Sequence, residues 1–177
     1  TDEVIDEYLV HYETGEPIPD NLIAKIKKAS TFNEGFKTTE YMASAIMDLL
    51  YHTTDPAAIE PDSFEREQLK ALGMPEEIVM RHRTPHFGHV FSGEGYSAGY
   101  YGYMWAEVLT ADAAEAFEEA PGGFYDEEVS AKLVKYLFSV RNAMDPAEAY
   151  RMFRGRDANV EALMRDRGFP VTSEQDK

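Results

Sequence analysis

Apolar residues recur at intervals of three and four along nearly the whole chain, and no stretch of useful length alternates with a period of two. A spacing near 3.6 buries one stripe only when the segment is an α-helix, whereas a strand requires alternation. That pattern predicts an all-α fold. The 177 residues suffice for one ordinary domain with a core. No internal repeat or linker interrupts the pattern, so residues 1–177 read as a single helical region, with a tail at 171–177 expected to fray.

Caps and breakers punctuate the helices. Val4, Ile5, Tyr8, Leu9 and Tyr12 predict a first amphipathic helix closed by Thr14-Gly15-Glu16-Pro17. Asp20 is placed to cap a short helix carrying Leu22, Ile23 and Ile26. Thr38 or Thr39 opens a third, with Met42, Ile46, Leu49 and Leu50 as its buried stripe and Pro56 as the reason it stops. Asp62 with Glu65 reads as a capping box for a helix ending near Gly73. Pro75 suits the first turn of another, Glu76 to about Arg81. Past Pro121-Gly122-Gly123, residues Val129, Leu133, Tyr136, Leu137 and Val140 mark one helix, and Asp145-Pro146-Ala147-Glu148 caps the next. Asp157 is expected to open the last, with Val160, Leu163 and Met164 inward and Gly168-Phe169-Pro170 as its stop.

Composition removes several function classes. With 17 Lys and Arg against 33 Asp and Glu, the net charge is −16, which lacks the basic footprint that phosphate binding needs, so no nucleic acid partner is expected. Zero cysteines exclude a disulfide framework, a zinc knuckle and a thiol nucleophile. No apolar run approaches the roughly 20 residues that span a bilayer, and no membrane partner is expected. The start Thr1-Asp2-Glu3-Val4 does not read as a signal peptide. A cytoplasmic protein, or part of one, is the expectation.

The segment with the most chemistry runs His89-Val-Phe-Ser-Gly-Glu-Gly-Tyr96-Ser-Ala-Gly-Tyr100-Tyr101-Gly-Tyr103-Met-Trp105-Ala-Glu107. On a helix, Tyr96, Tyr100 and Tyr103 fall at i, i+4 and i+7 and share a face. Tyr101, Trp105, Val108 and Leu109 lie opposite, as an expected core stripe. Tyrosines at helical spacing are usually packing residues. Here a histidine and flexible glycines precede them, and phenolic hydroxyls beside an imidazole suit hydrogen bonding to a substrate carbonyl or a developing oxyanion. Gly93, Gly95, Gly99 and Gly102 do not form a phosphate cradle, because no strand precedes them and the Lys-Ser/Thr of that motif is missing. They fit a mobile loop that allows close approach of a ligand.

His82, His86 and His89 cluster in Arg-His-Arg-Thr-Pro-His-Phe-Gly-His. Pro85 between the first two spoils helical ligand spacing, and no His-Glu-x-x-His occurs in the chain. No metal-ligating residue is assigned, and these histidines are expected to bond locally or face a cleft.

The segment His89 to Leu109 resembles the signature of the thimet oligopeptidase and peptidyl-dipeptidase family, zinc peptidases of the zincin type. His11 to Asp20, Gly73 to Arg83, Asp145 to Tyr150 and Phe153 to Arg156 are similar to further stretches of that family, with the bacterial dipeptidyl carboxypeptidase branch nearest. The resemblance implies that His89 contacts the peptide backbone near the scissile bond. It implies that Tyr100 and Tyr103 line the cleft and hydrogen-bond substrate or the tetrahedral intermediate, as the catalytic tyrosines. It places Tyr96, with Gly93 and Gly95, on a mobile substrate-binding loop. Family members are several times longer and carry their zinc ligands upstream of the matching residues. The chain is therefore expected to be the C-terminal portion of the zincin-like helical fold, binding no cofactor itself and inactive alone. Zinc and general base would come from a missing N-terminal portion. The rival expectation is a non-catalytic helical module holding a peptide or partner helix on its tyrosine face. A portion cut from a larger lobe should also expose apolar surface and tend to self-associate.

Overall fold

The computed structural model describes residues 1–171; the expected fraying from 172 on lies outside them. Among the described residues there are α-helices, short 3-10 and π turns and an isolated bridge between Val10 and Pro17, and no strand. The all-α reading holds. None of these helices is long and apolar enough to cross a membrane. The chain forms two compact units, Asn33–Ala106, and Thr1–Phe32 with the described residues from Glu107 on.

The unit Asn33–Ala106 is built on α3, Glu34–Thr53. It starts earlier than Thr38 because Asn33 adopts a left-handed conformation (φ 56°), which asparagine tolerates better than most residues. The buried stripe also differs from expectation. Ala43, Met47 and Tyr51 are buried together with Ser44 and Asp48, while Met42 and Leu49 are exposed. A rotation of the helix brings a polar row inward, and that row is hydrogen-bonded as buried polar groups require. Leu69, Met80, Phe87 and Val90 complete the core cluster with Ala43, Met47 and Tyr51. Full burial of side chains such as Met47 and Phe87 stabilises by about 1.5–3 kcal/mol each.

Helix α4, Pro61–Ala71, is capped by Glu60, whose carboxylate accepts from Ser63 N at 2.8 Å. Asp62 and Glu65 are not its capping box. Glu65 is buried and accepts from Arg83 Nε at 3.0 Å and from Thr84 N and Oγ1 at 3.1 and 2.9 Å, and Asp62 pairs with Arg83 at 2.9 Å. The expected helix at Glu76–Arg81 is a single turn, with Ile78 N bonded to Pro75 O. Past a 3-10 turn, Thr84–His86, comes a one-turn helix, α5, Gly88–Phe91.

In the other unit, α1 is Asp2–Tyr8 and α2 is Asp20–Ser30; neither buries a residue. Tyr12 lies outside α1, and Pro19 rather than Asp20 precedes α2. Helix α6, Gly102–Glu118, begins in the first-described unit, and its residues from Glu107 belong here. Helix α7, Glu127–Leu133, continues as a π turn, Val134–Phe138. Asp145 caps α8, Pro146–Arg154, accepting from Ala147 N and Glu148 N as the motif predicts. Helix α9, Val160–Asp166, is capped by Asn159; Asp157 instead pairs with Arg151 at 2.7 Å. Leu163 is buried, but Val160 is exposed. Asp112 of α6 is fully buried: Tyr150 OH donates to its Oδ2 at 2.6 Å, and Arg156 and Arg154 of the same unit approach its two oxygens to 2.7 and 3.3 Å.

Candidate functional site

The tyrosines come together, but not along a helix. Residues 96–101 form consecutive turns, and α6 starts only at Gly102. The i, i+4, i+7 face is replaced by a folded turn that stacks the same rings. Tyr96 lies over His89 with centroids 4.1 Å apart and over Tyr103 at 5.6 Å with the planes 10° apart. His89 Nε2 is 2.8 Å from Tyr103 Oη. Tyr100 meets His89 and Tyr103 edge-on at 5.8 and 5.3 Å. The four aromatic residues expected at the site are therefore in one cluster.

Within it the tyrosines differ. Tyr96 and Tyr103 are exposed, whereas Tyr100 is half-buried and packs on the core, with Phe87 edge-on at 5.1 Å and Tyr41 stacked at 5.4 Å. Tyr100 is the pillar; Tyr96, Tyr103 and His89 are exposed side chains. The Tyr103 hydroxyl is pushed up to about 12, by a hydrogen bond with the Tyr96 side chain first and by partial burial second. Its proton stays in place at neutral pH, leaving a donor rather than a phenolate.

The opposite stripe is not core. Trp105 is 67% exposed and Tyr101 51% exposed, and only Val108 and Leu109 are partly covered. Core demand on one side of the helix thus does not explain why the tyrosines gather on the other. Gly93 and Gly95 sit in open space, where an added Cβ would meet no atom within 4 Å and neither has a positive φ. Their loop is tied at its base by Ser97, whose hydroxyl donates to Val90 O at 2.8 Å and Gly93 O at 3.0 Å.

The turn that carries Tyr96 and Tyr100 is held from below by α3. Asp48, with no exposed surface, accepts Ala98 N at Oδ1 and Tyr100 N at Oδ2, each at 3.0 Å. Tyr41 OH donates to Tyr100 O at 2.6 Å and accepts from Met104 N at 3.2 Å. Ala98 takes a left-handed conformation (φ 54°), which a residue with a Cβ adopts only when its surroundings hold it there. These anchors were missed in the sequence, although a signal is present. Tyr41, Ser44, Asp48 and His52 form a polar row at helical spacing inside an otherwise apolar helix.

Among the described residues no group of three or more His, Cys, Asp or Glu side chains could hold a metal ion. His82 Nδ1 lies 3.3 Å from Ser44 Oγ with its ring stacked on Phe87 at 4.8 Å, His86 is exposed, and His89 faces Tyr103. Burial, and then the neighbouring Arg81 charge, lower the His82 pKa and keep that imidazole neutral.

Comparison with known proteins shows the family. The sequence model of peptidase family M3 matches residues 1–169. Dipeptidyl carboxypeptidase of Escherichia coli is 32% identical over 172 residues, covering 96% of this chain and 25% of that protein. Oligopeptidase A of Haemophilus influenzae is 34% identical, over 89% of this chain and 23% of that protein. The organellar oligopeptidase A of Arabidopsis thaliana is 35% identical, over 92% and 21%. The chain spans about a quarter of the length of these curated relatives. A match over nearly its entire length shows that the chain belongs to peptidase family M3.

Proposed function

We propose that this chain supplies one wall of the substrate cleft in a cytoplasmic zinc oligopeptidase or peptidyl-dipeptidase that cleaves short peptides. A zinc-bearing portion outside these residues supplies the metal and general base, and the chain alone hydrolyses nothing. The observation that carries the reading is the solvent-facing stack of His89, Tyr96 and Tyr103 with Nε2 and Oη 2.8 Å apart.

In this reading the stack engages an extended peptide by its backbone. His89 meets the peptide near the scissile bond, and Tyr96 shapes the site on the loop containing Gly93 and Gly95. Tyr103 donates a hydrogen bond to the oxygen on which charge develops, with Tyr100 bracing it. A donor already in position strengthens as charge grows in the transition state. Tyr103 first exchanges its contact with His89 for one with the substrate.

A second observation supports a portion of a larger protein over a free-standing binding module. Helices α1, α2 and α7 bury no residue, and α6 buries only Asp112. Helices as short as α1 and α2 draw their stability from packing an apolar face, and here Val4, Tyr8, Leu22 and Ile26 remain exposed. The remaining peptidase would cover such faces, and without it the chain is expected to self-associate.

The test mixes the purified chain with the zinc-bearing portion and follows an internally quenched peptide. Cleavage by the mixture and by neither component supports the proposal. Cleavage by this chain alone that a chelator stops contradicts it, and a monomer that binds peptide but never completes a peptidase supports the module instead.

A further inference from the structure

We infer that Asp48 is a positioning residue for the tyrosine wall: a buried carboxylate whose role is to set the backbone of the turn from Tyr96 to Tyr101. The inference rests on the proposed cleft for its functional consequence, but its structural basis is independent of it.

Asp48 sits in the middle of α3 with no surface exposed. A carboxylate in that position is costly unless each oxygen is satisfied. Oδ1 accepts Ala98 N and Oδ2 accepts Tyr100 N, both at 3.0 Å. His52, one turn on, closes the remaining side: its Nδ1 is 2.9 Å from Oδ1 and 2.8 Å from Asp48 O, and its ring is stacked on Phe91 at 5.5 Å. Neither carboxylate oxygen accepts from a side chain of another helix. The carboxylate is spent on two amides, two residues apart, that flank a peptide segment bent through Ala98 at φ 54°.

Two amides on one carboxylate fix the direction of the chain between them. Tyr96 lies immediately before that clamp, Tyr100 is inside it, and Tyr103 follows one turn after it. Tyr41 adds a second tether from α3 through Tyr100 O and Met104 N. An apolar residue at 48 would fill the same space and leave both amides unpaired. The acid is therefore explained by the turn it holds. Asp48 touches neither solvent nor substrate, and acts through Tyr96, Tyr100 and Tyr103.

The experiment introduces Asp48→Asn into the complete peptidase. The amide keeps the volume and one acceptor but sets an NH2 group against an amide N–H that needs an acceptor. Amide exchange in the 96–101 segment should accelerate by at least about tenfold while α3 exchanges as before, and kcat per folded enzyme should fall by about 100-fold, more than KM changes. Ser44→Ala, equally buried on the same helix but beside His82, should change neither quantity. Tyr41→Phe should loosen the same segment and lower kcat by a smaller factor, which keeps the test open if Asp48→Asn does not fold. Exchange of 96–101 equal to the unmodified protein, acceleration of α3 alongside it, or an unchanged kcat overturns the inference. If the unmodified peptidase cleaves no peptide, the proposed function fails by itself, and the exchange measurement still decides whether Asp48 holds the turn.

Discussion

Asp48 and Asp112 are both fully buried aspartates inside helices, one in each compact unit, and their oxygens are met in opposite ways. Asp48 accepts backbone amides from a turn. Asp112 is met by side chains: Tyr150 OH at 2.6 Å, Arg156 at 2.7 Å and Arg154 at 3.3 Å. A carboxylate held by amides fixes backbone dihedral angles over a few residues. One held by long side chains fixes which segments are neighbours and leaves their backbones alone. The first arrangement suits a wall that must present rings at set positions, and the second suits a structural junction. Neither of the guanidinium contacts is aligned as a hydrogen bond, since Asp112 Oδ1 and Arg154 Nε have no such partner. Charge rather than directional bonding carries those two contacts, and the Tyr150 hydroxyl supplies the directional one.

The comparison breaks most sharply under Asp112→Ala. Tyr150 and Arg156 would lose the carboxylate they share, while Arg154, only 8% exposed, keeps its bidentate pairing with Glu119 at 2.7 and 2.6 Å; the loss should lie near the lower end of a broken buried pair, about 3 kcal/mol. Urea unfolding should report that loss, with peptide exchange raised in α8 and the part of α6 past Glu107 and not at 96–101. Tyr150→Phe is the milder probe. It removes the hydroxyl that donates to Asp112 and Leu109 O but keeps the ring, and should cost about 1.5–3 kcal/mol as a hydrogen bond to a charged group.

Acid should separate the two sites without mutation. Burial raises the Asp112 pKa, but the Tyr150 hydroxyl and then Arg156 and Arg154 more than offset it, leaving the carboxyl below its usual 3.8. A depressed acid stabilises above its unfolded pKa and loses that contribution as pH falls through the folded value. Asp112 therefore weakens its unit only below about pH 4. His82, held below 6.5 by burial and Arg81, is a depressed base. Its unfolded form takes up a proton first, so its contribution is present above about pH 6.5 and declines below it. Peptide-resolved exchange between pH 7 and 5 should loosen the residues around His82 and Phe87 before those around Asp112; the reverse order contradicts the assignment. The smallest effect belongs to Arg165→Gln. Its bidentate pairing with Glu115 at 2.7 and 2.9 Å is exposed to solvent, and melting should show no measurable change.

The helices were legible where local chemistry decides them. Asp145-Pro146-Ala147-Glu148 caps α8 as its motif requires, and α3 stops at Thr53, ahead of Pro56. The misreadings share a cause. Periodicity assigned Met42 and Leu49 inward because they are apolar, whereas hydrogen-bonded Ser44 and Asp48 occupy those inward positions. Glu65 looked like a cap and is instead a buried acceptor for Thr84. The tyrosine cluster was foreseen through a helical face that does not form: turns at 96–101 bring the rings together, and Trp105 points to solvent. The residues that hold the site lie some fifty positions earlier in the chain than the residues they hold. Local pattern carries no direct trace of such pairing beyond a polar row in an apolar helix.

The central claim is that Tyr103 faces the reacting oxygen of a peptide. Its most direct test compares Tyr103→Phe with Tyr101→Phe in the complete peptidase. Both remove one hydroxyl from a solvent-exposed ring, but only Tyr103 meets His89. Loss of a donor to the developing oxyanion should lower kcat by about 100- to 1,000-fold for Tyr103→Phe, with Tyr101→Phe within about twofold of the unmodified enzyme. Equal kcat for the two variants would contradict the account.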